Sequence, residues 1–225
     1  MESHDLATRA CLWRSCRAHR LIAQRPDPIV KAMDQPNAPF ADLTGKLLIA
    51  MPGLADPRFH GGVVLICAHS ADGAMGLILN KPMSDIGFSD VLTQLGITKQ
   101  AITLEMPVCY GGPVEMRRGF VLHSTEYRSD NRDLLVVSTD FALTATRDIL
   151  RDIAAGLGPR RAILALGYAG WGPGQLEDEI GENSWLTADA PPDLVFSPRL
   201  EGKWEGALAS LGISPMTLSS QAGRA

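Results

Sequence analysis

Outside the first 32 residues the chain holds three histidines, His60, His69 and His123, each beside a glycine pair or at the end of an apolar run. Imidazole can act as acid, base or metal ligand near neutral pH. No HExxH motif, no closely spaced pair and no Asp or Glu at ligand spacing accompanies them, so the pattern favours ordinary hydrogen-bonded histidines over a metal centre. Ser70, Ser124 and Ser138 each follow an apolar run, but none sits in the GxSxG elbow that exposes a serine oxygen. His123 and Ser124 are neighbours, so on a strand they point to opposite faces and form no dyad. Cys109 precedes a glycine pair, and nothing in the sequence lowers its pKa.

Carboxylates concentrate at Glu177, Asp178, Glu179 and Glu182. Glu179 and Glu182 share a helix side as a like-charge pair, which reads as a solvated face more readily than as a cation site. The glycine-rich loops lack phosphate-binding chemistry. Gly111-Gly112-Pro113-Val114 has no lysine with serine or threonine, and Gly167 through Gly174 departs from GxGxxG. Glycine there serves turns at positive φ and close packing under Trp171.

Charge argues against nucleic acid as a partner. Residues 1–32 carry Arg9, Arg14, Arg17, Arg20, Arg25 and Lys31 against Glu2, Asp5 and Asp27, a net of +3, and the rest of the chain carries −7 of the overall −4. Nucleic-acid binding needs several phosphate contacts. Past the leader only Arg117-Arg118, Arg128, Arg132 and Arg160-Arg161 hint at basic patches, and no helix-turn-helix carries them. The leader, residues 1–36, is expected to be a mobile tail or an over-long start, and residues 37–225 a single domain, with room for a small lobe. No apolar run reaches the roughly 20 residues that cross a bilayer. Cys11, Cys16, Cys67 and Cys109 form no CxxC pair and read as free thiols of a reducing cytoplasm.

The elements that position these residues follow from periodicity. Residues 45–51 read as a strand, and 63–68 and 74–79 as a hairpin across Asp72-Gly73. Phe88, Val91, Leu92 and Leu95 form one helical stripe closed by Gly96. Strands follow over 102–109, 120–123 and 134–138, with a turn at Ser129-Asp130-Asn131. Ile149, Leu150, Ile153, Ala154 and Leu157 mark a second helix, with Thr144 or Thr146 as its cap. A strand over 162–168 feeds the glycine-rich turn and a short helix over 175–181. Residues 194–196 read as a last strand, and Trp204, Ala207, Leu208 and Leu211 as a third stripe, with Ser197-Pro198 as its cap and first-turn pair. Hairpins mixed with single helices argue for a mixed sheet with helices packed on it, α/β with mixed α+β character, and against a regular βαβ winding.

Ordered blocks of residues carry a resemblance over about 43–223. They are Gly45-Lys46-Leu47-Leu48-Ile49-Ala50-Met51-Pro52, Asp56-Pro57-x-Phe59, His69, Gly73 through Pro82, Gly111-Gly112-Pro113-Val114, Arg118 through His123, Gly167 through Glu177, Asn183-x-Trp185-Leu186, Trp204-x-x-Ala207-Leu208 and Leu211-Gly212-Ile213. With these the chain resembles the bacterial YqgE/AlgH family. The resemblance implies a compact coiled mixed sheet around helices and a cytosolic bacterial protein. It also brings the label of transcriptional regulator, which stems from a genetic link to alginate production, and no biochemical activity. Gly61-Gly62 departs from the family, where a polar residue and serine are commoner, which weakens any serine-based chemistry there.

The expected function is binding of a protein partner or small ligand with an indirect regulatory role, without cofactor or metal. The expected surface is built from Asn80, Arg118, His123, Trp171, Gln175, Glu177 and Asn183. In it Arg118 and His123 meet an anionic or polar group, and Trp171 offers a flat wall. Asn80, Gln175 and Asn183 orient the ligand, and Glu177 holds Arg118 or His123. Two alternatives stand beside it. One is a hydrolase or metal-assisted enzyme using His123 and Glu177 as its catalytic pair; the other is a DNA-binding regulator.

Overall fold

The computed structural model describes residues 41–98, 106–127 and 134–218. The leader 1–36, Cys11 and Cys16, the turn expected at 129–131 and residues 102–105 of an expected strand lie outside them. Among the described residues there are nine strands and five α-helices. The strands are β1 Leu47–Ala50, β2 Val63–Ser70, β3 Gly73–Ile78, β4 Val108–Tyr110, β5 Val114–Ser124, β6 Leu134–Val136, β7 Phe141–Thr144, β8 Ala162–Trp171 and β9 Trp185–Ala188. The helices are α1 Phe88–Gln94, α2 Arg147–Ala154, α3 Gln175–Gly181, α4 Pro192–Val195 and α5 Lys203–Ser210.

One sheet runs β6-β7-β5-β8-β3-β2-β1-β9, antiparallel at each step. The short strand β4 adds a parallel pairing to β8 and makes the sheet mixed. Strand β8 organises the fold. β5 lies along one edge, and on the other β4 pairs with Leu164–Leu166 before β3 takes over at Ala169. Gly167 stands at that handover with φ +75, and a Cβ there would sit 2.5 Å from the Gly112 carbonyl oxygen. The sheet curls, so that a Cβ on Gly45, just before β1, would meet Ser138, just after β6, at 3.3 Å.

Both faces are covered, which is why β2 reads as an unbroken apolar run. Leu47, Ile49, Leu65 and Leu77 turn to the concave face and pack with Val195, Leu200, Ala207 and Leu208 of the α4–α5 region. Leu48, Val64, Ile66 and Ile78 turn the other way, toward Leu176 of α3, Trp171 and Trp185. A third cluster joins Phe88, Val91 and Leu92 of α1 to Ile149, Leu150 and Ile153 of α2, over Val121 and Leu164.

Several elements differ from the sequence reading. Residues 192–195 form helix α4 in place of a strand, because two successive prolines preset the first turn and Asp193 sits where the helix dipole favours it. Strands β7 and β9, four residues each, escape a periodicity reading. β5 begins at Val114 and not at Phe120, and β8 continues through Gly170 to Trp171, so the glycine-rich stretch is largely strand. The expected 102–109 strand shrinks to Val108–Tyr110 within the described residues. Gly156, at φ +79, stops α2 before Leu157, which is 74% exposed. Thr146 holds the N-cap position of α2 but makes no side-chain cap bond. Helix α5 starts after Gly202, so Ser197-Pro198 does not cap it.

Candidate functional site

The end of β8 leads into a turn at Gly172-Pro173-Gly174, whose last residue has φ +74, and directly into α3. Helix α3 ends at Gly181 with Glu182 as its C-cap, and Asn183 takes the left-handed conformation at φ 59. The amides of Asn183 and Ser184 then bond to the carbonyls of Ile180 and Glu179. That closes the helix as a Schellman-type end, with asparagine in the position usually held by glycine. Strand β9 follows at once with Trp185.

This short connection gathers a hydrogen-bonded cradle. Trp171 Nε1 donates to Glu179 Oε2 at 2.9 Å, and Trp185 Nε1 donates to the same oxygen at 2.8 Å. Gln175 Nε2 donates to Glu179 Oε1 at 3.0 Å, while Gln175 Oε1 accepts the Gly172 amide at 3.0 Å. Phe59 packs edge-on against Trp185 at 5.5 Å and lies 6.4 Å from Trp171; the two indoles are 6.0 Å apart. Gln175 and Glu179 are four apart, the spacing that brings helix side chains together.

Beside it, His69 Nδ1 accepts the Leu43 amide at 3.2 Å, so the ring proton resides on Nε2 and is donated to Glu177 Oε1 at 2.7 Å. The β2–β3 pairing shifts register between Ile66 and Ala68, and Cys67 and Ala68 both join the concave core. A one-residue slip inverts the faces of all later side chains. It turns His69 toward α3. With Nδ1 occupied by an amide, this imidazole has no free lone pair to serve as a base.

The seven expected site residues divide. Trp171, Gln175, Glu177 and Asn183 come together on β8 and α3. Asn80 is used by the backbone: its Oδ1 accepts the Val63 amide at 2.9 Å and its Nδ2 donates to the Gly61 carbonyl at 2.7 Å, fixing the turn behind Phe59. Arg118 lies over the Phe120 ring at 5.1 Å and pairs with Glu115 at 3.1 Å. His123 is fully buried, donates from Nδ1 to the Ser124 carbonyl at 3.0 Å and accepts from the Thr144 hydroxyl at Nε2, also 3.0 Å. Burial holds its pKa below the usual histidine value.

His123 pairs with Ala162, the first residue of β8, whereas Trp171 is its last. Nine residues of strand span about 30 Å at roughly 3.3 Å each. The register therefore separates His123 from Glu177, and the charge partner expected for Glu177 is replaced by His69. Glu179 also departs from the expected solvated pair with Glu182, because its carboxylate turns inward to the indoles. The usable signals were the Gln175/Glu179 spacing and the tryptophans that flank α3; the bulge that turns His69 has no signature in the sequence.

Chemistry elsewhere is restrained. Burial pushes the Cys67 thiol up to about 12 and the Cys109 thiol up to about 11, so neither forms thiolate at neutral pH. Among the described residues no three His, Cys, Asp or Glu side chains converge as a metal site, and no helix is long and apolar enough to cross a membrane. Two recesses stand out. One of about 500 Å³ is bordered by Glu126, Tyr127, Asp152 and Arg160. The other, about 330 Å³, is lined chiefly by apolar residues including Met83, Phe88, Val108 and Leu200. Neither is lined by Trp171 or Glu179.

Comparison with known proteins places this geometry in context. The AlgH-like family model matches residues 47–216. A UPF0301 protein of Jannaschia sp. (strain CCS1) is 60% identical over 184 residues, covering 82% of this chain and 96% of the relative. A UPF0301 protein of Paracoccus denitrificans (strain Pd 1222) is 56% identical over 186 residues, with coverage of 82% and 98%. The solution structure of the AlgH protein from Pseudomonas aeruginosa superposes with a TM-score of 0.65 at 37% identity, over 85% of this chain and 100% of that one. A crystal structure from Corynebacterium diphtheriae, 22% identical with a TM-score of 0.60 over 87% and 97% of the two chains, shares the fold.

Proposed function

The chain belongs to the AlgH-like family, and from that premise we propose that it acts by binding a protein partner, through the surface at the end of β8 and along α3, and catalyses no covalent reaction there. Any regulatory effect is then indirect and exerted through that partner, in the cytoplasm. Residues 37–225 act as one domain in this reading.

The observation that carries the proposal is the allocation of carboxylates on α3. Glu179 is consumed by two indoles and Gln175, and Glu177 by His69. These contacts fix the helix as a rigid mount. Asp178, in the first turn, and Glu182, at the C-cap, remain exposed, four residues apart on one side of the helix. A like-charge pair at that spacing costs a few tenths of a kcal/mol, and the helix dipole disfavours Glu182 at the C-cap as well. A partner presenting lysine or arginine would neutralise it, with Gln175 and Asn183 as flanking hydrogen-bond groups. The net −7 of residues 33–225 supports a cationic protein segment over nucleic acid as the occupant.

The test is site-specific photo-crosslinking in cells, with the reactive group at Asp178 and, as control, at Arg151 on α2. A discrete adduct from Asp178, absent from Arg151 and lost on Glu182→Lys, is expected. Equal adduct patterns from both positions would refute the surface.

A further inference from the structure

Helix α2 ends in a way that leaves two side chains without their customary partners. The Gly156 amide bonds to the Ile153 carbonyl at 3.0 Å and the Leu157 amide to the Asp152 carbonyl at 2.8 Å, with Gly156 left-handed at φ +79. That is a Schellman end, in which the residue after the glycine commonly packs on an apolar side chain at the position held here by Asp152 or the one before it. In this chain those positions are a carboxylate and Arg151. Leu157 is left 74% exposed. Asp152 is itself misplaced, because a carboxylate in the last turn meets the negative end of the helix dipole.

Both side chains border the recess of about 500 Å³, together with Glu126, Tyr127, Gly158 and Arg160. Hydrogen bonds fix its walls. The Tyr127 hydroxyl donates to Asp152 Oδ2 at 2.5 Å. Glu126 Oε1 accepts the Arg160 amide at 2.7 Å and the Ser124 hydroxyl at 2.8 Å. The Ser124 amide donates to the Arg161 carbonyl at 3.1 Å, which ties the chain after α2 to the end of β5. Each carboxylate thus has one oxygen engaged. The other, Oδ1 of Asp152 and Oε2 of Glu126, accepts no bond from another residue among the described ones. The Arg160 guanidinium has no ion-pair partner among them either. The recess therefore combines two fixed acceptors, one fork of donors and one bare apolar side chain.

We propose that this recess binds a free α-amino acid with an aliphatic side chain. The ligand's ammonium donates to Asp152 Oδ1 and Glu126 Oε2. It neutralises two like charges that line one recess and offsets the unfavourable placing of Asp152 on the helix. The ligand's carboxylate meets the Arg160 guanidinium, whose planar fork fits two carboxylate oxygens. Its side chain covers Leu157 and supplies the apolar contact that the helix end lacks. The volume lies within the roughly 300–1,000 Å³ of small-molecule sites. A simple amine leaves Arg160 unanswered, and a simple acid leaves both carboxylates so. The site is separate from the α3 surface, and neither stands or falls with the other.

The experiment follows the backbone amides of the folded full chain by heteronuclear NMR as L-leucine is added. Glycine, isoamylamine and isocaproate serve as probes that lack the side chain, the carboxylate and the amine respectively. Saturable shifts are expected at Gly156, Leu157, Gly158 and Arg160, and each probe should bind at least about tenfold more weakly than L-leucine. Asp152→Asn keeps an acceptor for the Tyr127 hydroxyl, and Arg160→Gln keeps the backbone amide that Glu126 holds. Each should weaken L-leucine at least about tenfold while the rest of the spectrum is unchanged. The probe series uses the unaltered chain, so the result does not depend on a variant folding. No saturable shift of these amides at about 20 mM L-leucine, where a millimolar site is nearly filled, would overturn the proposal. So would any probe that binds as tightly as L-leucine, or full affinity in folded Asp152→Asn.

Discussion

His69 Nε2 and Glu177 Oε1 meet at 2.7 Å and join the end of β2 to helix α3 across 108 residues of sequence. The other ring nitrogen is held by the Leu43 amide, so the same imidazole also ties the chain preceding β1 to this surface. His69→Ala removes both bonds and orphans an amide, and it should cost about 2–3 kcal/mol in urea unfolding. Glu177→Gln keeps an acceptor for Nε2–H and should cost under about 1 kcal/mol. Equal losses would show that the pair acts through charge and not through hydrogen bonding.

The Glu179 carboxylate is the hub of the cradle. Glu179→Ala strands the indole N–H groups of Trp171 and Trp185 and should destabilise by about 3 kcal/mol, with loss of the near-ultraviolet tryptophan dichroism. Glu179→Gln keeps an oxygen for the indoles and should retain most of that signal. Denaturation midpoints and spectra of the two variants decide the matter.

His123 gives a pH dependence of definite sign. Burial lowers its folded pKa, so the unfolded chain binds the proton more readily than the folded one. Its stabilising contribution is present above the unfolded value of about 6.5 and is lost as pH falls from there through the folded pKa. The urea midpoint should therefore drop between pH 7.5 and 5, and His123→Gln should flatten that part of the profile. A midpoint that rises on acidification, reverting in His123→Gln, would contradict the assignment.

Glycines of the same conformation should differ by their surroundings. Gly167 and Gly174 have φ +75 and +74, but a Cβ on Gly167 meets the Gly112 carbonyl at 2.5 Å, while one on Gly174 meets nothing within 4 Å. Gly174→Ala should cost about 1–2 kcal/mol for the backbone alone. Gly167→Ala adds a clash at the β4–β3 handover and should exceed about 4 kcal/mol or prevent folding. Thermal melts of both variants check the difference.

Much of the fold is legible in the sequence because apolar spacing records burial. The Phe88–Leu95 stripe, the hairpin across Asp72-Gly73 and the α3 segment all lie where periodicity puts them. Four-residue strands such as β9 hold too few positions for alternation to show, and Pro191-Pro192 turns an apolar triplet into helix. The candidate surface is half legible. Trp171, Gln175, Glu177 and Asn183 are close in sequence, so local geometry gathers them. His123 belongs to the far end of β8, and only register shows that. The turning of His69 toward α3 depends on a bulge at Cys67, which no local residue pattern announces.

The central claim is that α3 presents Asp178 and Glu182 to a cationic partner, and it is tested most directly by affinity. The partner captured through Asp178 is titrated against the unaltered chain and against Asp178→Lys combined with Glu182→Lys, at low and high salt. The predicted result is binding at least about tenfold weaker for the double variant at low salt, with unaltered melting behaviour, and a gap that narrows as salt rises. Identical affinities at low salt would contradict it.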